Sequence, residues 1–224
     1  MKARLELGDV FALPLDDSRA GIGQVVATYG QGAFYFAIFD LLVPPGQAEA
    51  NIDRALACDL LFLAPSLDTR LPVPYLTVVG SRPVREGLPL PAHREVDGEN
   101  LVHVVDYSGR RRRRATDEEA RRLQNRRFIA PLRLARALRA SAGLEPWTDA
   151  YAALVPDDEL STARLFGAEP IRPAGRPPVG GALPTASRAP EPTRAYRQPT
   201  VVHDEWWADW HPSSPRRPVV ATAS

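Results

Sequence analysis

LGDVFALPLDDSRAGIGQVVATYGQGAFYFAIFD, residues 7–40, carries the clearest architecture in the chain and reads as three strands of one sheet. From 10 to 15 apolar side chains occupy both parities, with Pro14 near the end, the pattern of a strand buried on much of both faces. Asp16, Asp17 and Ser18 supply a turn. Gly21 and Gly23 flank Ile22 at the start of a second strand, 24–29, where glycines suit a bulge or a sharply coiled start at which backbones approach closely. Gly30, Gln31 and Gly32 make a short hairpin loop able to take positive φ, and 34–39 returns as the most aromatic strand of the chain. The expectation is an α+β protein: a curled antiparallel sheet or small partly open barrel at the N-terminus, C-terminal helices packed on it, then a disordered Pro-rich tail.

A chain of 224 residues with 44% apolar content can build one ordinary hydrophobic core. Its single cysteine, Cys58, excludes an internal disulfide, and no apolar run reaches the roughly 18 residues that span a bilayer. No N-terminal segment has the charged-then-apolar form of a signal peptide, so a cytoplasmic protein is expected. The net charge of +1 is uninformative, but arginines concentrate between 110 and 139.

Further along, 51–58 reads as a helix with Asn51 at its N-cap, and LLFLA, 60–64, as a buried strand ended by Pro65. Strands follow at 75–80 and 101–107, separated by a proline loop, and Ser108 and Gly109 connect the second of them to an arginine strand, 110–114. Thr116 with Glu119 forms a capping box for a helix running to about 126. Pro131 opens another, with Leu134, Leu138 and Ala142 as its apolar stripe and Gly143 at C′. Trp147, Tyr151 and Leu154 fall at i, i+4 and i+7 of a last helical segment closing a domain over 1–155. One more short helix fits 157–166. Residues 168–199 are too poor in large apolar side chains to order themselves, and the tail ends in VVHDEWWADW, whose Trp206, Trp207 and Trp210 are candidates for docking.

The chain offers little for catalysis. Of the four histidines, His103 alternates with valines on a strand, His93 sits in a loop without a partner by spacing, and His203 and His211 belong to the tail. Cys58 has no second thiol or histidine at metal-ligand spacing and reads as a buried inert thiol, so neither a metal nor any other cofactor is expected. Gly21-Ile22-Gly23 lacks the third glycine and the following helix of a phosphate-binding loop. The arginine run could grip phosphates, but no aromatics are interleaved and alternate side chains can lie against Asp117, Glu118 and Glu119; a solvated face is the plainer reading. Arg111 and Arg113 remain candidates for an acidic protein partner. Asp16, Asp17 and Asp40 are explained as turn or strand-end residues, with mimicry of phosphate toward a basic cleft as the competing role. Tyr35 is the side chain of the aromatic strand expected to reach a partner.

GDVFALPLDDSRAGIGQVV, followed by the phenylalanine-rich strand ending in FD, resembles the immunity protein 26 family of bacterial polymorphic toxin systems. The LLFLA strand, YLTVVGSRP with its proline loop, the VVDYSGR hairpin and the close at Trp147 and Tyr151 follow in the same order, so the likeness covers roughly 5–155 and none of the tail. It implies a non-enzymatic cytoplasmic protein that binds and neutralises a cognate toxin, with no membrane, nucleic-acid or small-molecule partner. A second reading is a small-barrel nucleic-acid-binding module or ribonuclease toxin, whose start GDVFALPL also resembles. That family calls for a basic and an acidic residue just after the second strand, where Ala27, Thr28 and Tyr29 stand here. A third is an adaptor that recruits a partner through its tail.

Overall fold

The computed structural model describes residues 5–30, 32–67 and 76–167, which lie in the first of the two units into which the chain divides, Met1–Pro177. The expected tail at 168–224, with Trp206, Trp207 and Trp210, and the Tyr75 start of a strand fall outside the described residues.

The opening stretch forms β1 (Asp9–Pro14), β2 (Ala20–Tyr29) and β3 (Ala33–Val43). With β4 (Leu60–Leu67) and β5 (Thr77–Ser81) they make one antiparallel sheet in the order β4-β3-β2-β1-β5. Among the described residues β4 and β5 are its two edges, so the sheet is open and the class is α+β. The β2–β3 register shifts between Gly21 and Gly23, where the glycines predicted a bulge, and again between Val25 and Ala27.

Alternation in β3 divides the core in two. Phe34, Phe36 and Ile38 face a cluster with Phe11, Leu13, Val25, Phe62, Leu134 and Leu138, whereas Tyr35, Ala37 and Phe39 face Val26, Leu63, Leu88 and Leu90. Both faces are covered, which is why the strands read as near-continuous apolar runs. Gly23 sits opposite Phe11 in the register, and a Cβ there would stand 2.5 Å from the Phe11 ring and 2.6 Å from the Ala37 carbonyl. The missing side chain is the space the Phe11 ring occupies.

Pro65, expected to end β4, lies inside it. The Pro65 carbonyl accepts the Ile129 N–H at 3.0 Å on the side away from β3, so the missing proline N–H would also have pointed outward and β3 loses no ladder bond.

A second antiparallel sheet, in the order β6-β7-β8, consists of β6 (His93–Val96), β7 (Val102–Val105) and β8 (Arg112–Arg114). His93 was expected in a loop; pairing with Val105 places it on a strand. The single valine of HREV carries no strand periodicity, and β7 supplies the order instead.

Among the described residues there are five short α-helices: α1 (Ile52–Ala57), α2 (Asp117–Arg122), α3 (Pro131–Ser141), α4 (Asp149–Ala152) and α5 (Thr162–Phe166). The α2 capping box is present, Glu119 N–H to Thr116 Oγ1 at 3.2 Å and Thr116 N–H to Glu119 Oε2 at 2.8 Å. The helix stops at Arg122, short of 126, where Leu123 turns into the core. Leu134, Ala135, Ala137, Leu138 and Ala140 bury one side of α3 against the sheet. Gly143 (φ +73°) follows, and the bonds Gly143 N–H to Ala140 O and Leu144 N–H to Arg139 O close a Schellman motif. Trp147 precedes α4 instead of belonging to it; it stacks on Phe62 and meets Tyr151 edge-on. No helix of the described residues is long and apolar enough to cross a membrane.

Candidate functional site

Tyr35, expected to reach a partner, is fully buried. β3 turns its ring toward the second sheet, where the hydroxyl donates to the Tyr107 carbonyl at 2.9 Å and lies 3.1 Å from His93 Nε2. Burial, the dominant cause, pushes the Tyr35 hydroxyl pKa up and the His93 pKa down to about 3, so both groups are neutral near pH 7. The pair fastens one sheet to the other; Tyr35 presents nothing to solvent and His93 only 8% of its surface.

The other expected residues remain at the surface, in separate places. Asp16 accepts from the Ser18 N–H and hydroxyl and from Arg19, whose guanidinium foremost holds the carboxyl well below the usual range. Asp17 in the same turn and Asp40 on β3 are exposed. Arg111 and Arg113 belong to the second sheet's side, where both guanidinium groups lie against the Phe166 ring at 5.1 and 5.4 Å. Arg113 makes a two-point contact with Glu119 at 2.8 and 2.5 Å, the main reason the Glu119 pKa falls to about 2. Arg111 reaches the buried Asp106 at 3.4 Å. Exposed Arg112 and Arg114 alternate with them, as a solvated strand face requires. The acidic set and the basic set do not form one site.

His103 Nε2 lies 2.8 Å from Asp97 Oδ2, and the Cys58 thiol, half-buried instead of buried, donates to the Arg54 carbonyl. Among the described residues no group of three or more His, Cys, Asp or Glu is placed to hold a metal ion.

Two surface features were missed at the sequence level, and both come from the extended segment 124–129. On one side Arg126 lies 3.9 Å over the Tyr29 ring and donates to the Asp106 carbonyl at 2.6 Å, and Tyr29 meets Phe128 at 5.7 Å. The close approach of Gly109, whose φ of +77° suits glycine, seats the Tyr29 ring from the other direction. Phe128 thus stays 38% exposed while packed on the Tyr29 ring.

On the opposite side Arg127 borders an open cleft of about 540 Å³ between β4, α4 and the 155–160 segment. Arg133 of α3 lines it too. Neither guanidinium has a hydrogen-bond or ion-pair partner among the described residues, whereas Arg122 of the same cleft is held by Glu159 at 2.6 Å. The signal in the sequence was NRRFIAP: alternation across an extended segment puts Arg126 and Phe128 on one side and Arg127 on the other.

Comparison of the chain with models of protein families, with curated proteins and with solved structures finds no match.

Proposed function

We propose that the chain is an immunity protein that binds and neutralises a cognate polymorphic toxin by stoichiometric occlusion, without chemistry of its own. The resemblance over 5–155 supplies the toxin, and in this reading the open five-stranded sheet is that family's curled, partly open barrel. The observation that carries the binding role is the Phe128–Tyr29–Arg126 cluster: an exposed aromatic ring held in place by a second ring and a guanidinium. Aromatic and arginine anchors contribute most of the energy at protein interfaces, and a side chain ordered in advance loses little entropy on binding. An immunity protein has to outlast toxin turnover. That calls for a nanomolar complex, about −12 kcal/mol, which an interface of about 1,600 Å² can supply.

Coexpression with the toxin encoded beside this gene tests the proposal. Cells survive and a 1:1 complex elutes together if it is right; death of cells holding abundant soluble protein, with no complex, sinks it.

A further inference from the structure

The cleft beside α4 has its own chemistry. Its walls include Leu63, Pro65, Pro91 and the half-exposed Val155, an apolar, proline-containing strip among polar side chains. Two arginines without partners among the described residues, Arg127 and Arg133, border it. A guanidinium that no carboxylate holds, bordering such a cleft, is placed to receive an anionic group, and its planar fork matches a carboxylate or a phosphate.

Two further observations choose between those anions. Among the described residues no aromatic ring other than His93 lines the cleft, so they offer no platform on which bases would stack. Asp149 and Asp157 line it alongside Arg122, Arg127 and Arg133, so the cleft carries little net positive charge, which suits one or two carboxylates better than the dense charge of a polyphosphate chain. We infer that the cleft seats an extended acidic segment of the protein partner, with carboxylates on Arg127 and Arg133 and neighbouring apolar side chains against Pro65, Pro91 and Val155. This rests on the reading that the chain binds a protein toxin, but on different residues from the Phe128 anchor.

The test uses the full chain and the toxin encoded beside its gene, inactivated by mutation, in titration calorimetry. The double variants Arg127→Glu/Arg133→Glu and Arg127→Gln/Arg133→Gln are compared with Arg121→Glu, an exposed arginine outside the cleft. Truncating a desolvated charge contact at an interface costs about tenfold or more. Both double variants therefore weaken binding by about 100-fold or more, with unchanged far-ultraviolet circular dichroism, and Arg121→Glu stays within about threefold.

A mixed-sequence single-stranded RNA 20-mer serves as the rival probe. If it binds the wild type and is lost in the double variants, the cleft is a phosphate site and the inference is overturned. Equal toxin binding by wild type and both double variants overturns it as well, while leaving the immunity role standing. No toxin binding by the wild type points instead at the immunity role itself.

Discussion

Tyr35 and His93 are joined in one orientation only. The tyrosine hydroxyl has a single hydrogen, donated to the Tyr107 carbonyl, so the 3.1 Å contact with His93 Nε2 requires the imidazole to donate. Neutral His93 is therefore the Nε2–H tautomer. Nitrogen chemical shifts should show that tautomer unchanged from pH 8 to below pH 5. Tyr35→Phe strands a buried donor and acceptor, and denaturant unfolding should report a loss of about 1–3 kcal/mol.

The same pair gives the fold an acid sensitivity. The His93 pKa is about 3 in the folded state against an ordinary value of 6.5, so between these values the unfolded chain binds the extra proton. Its contribution is fully present above about pH 6.5 and is lost as the pH falls toward 3, each unit of difference being worth about 1.4 kcal/mol. Urea midpoints of the wild type should decline through this window. His93→Gln should flatten the decline there, and an unchanged slope would contradict the assignment.

Gly23 tests the packing of the decisive strands. Gly23→Ala drives a methyl group into the Phe11 ring and the Ala37 carbonyl, and should cost about 1–3 kcal/mol or more. Gly46→Ala, in open space, should stay within about 0.5 kcal/mol.

The legible parts of the fold were those whose cause is local. Parity in 34–39 marked both core faces, Thr116 with Glu119 marked the start of α2, and Pro131 with Gly143 bracketed α3. What escaped depends on distant partners. Tyr35 looked available because its acceptor at Tyr107 and its donor at His93 lie 72 and 58 residues away. HREV became a strand through β7, and Pro65 stayed in β4 because Ile129 takes the outward position. The candidate site was the least legible, since the expected helix ran to about 126, past its end at Arg122, and Arg127 and Phe128 fell in the connection beyond it, to which no role was given.

Thr116→Ala removes the hydroxyl that caps α2 and should cost about 1 kcal/mol. The Arg113–Glu119 contact should persist, since Glu119 keeps both of its bonds to that guanidinium. Thermal unfolding of the single variant and of Thr116→Ala/Glu119→Gln separates the two contributions.

Phe128→Ala should change folding stability by no more than about 1 kcal/mol while weakening toxin binding by at least about 2 kcal/mol. Equal affinity of variant and wild type by calorimetry would remove Phe128 as the anchor.

The most direct measurement is an activity titration of the neighbouring-gene toxin with purified protein. Stoichiometric occlusion predicts a linear fall of toxin activity that reaches zero at one protein per toxin, with both chains recovered intact. Full toxin activity in the presence of excess protein, or inactivation by a small fraction of an equivalent, would contradict it.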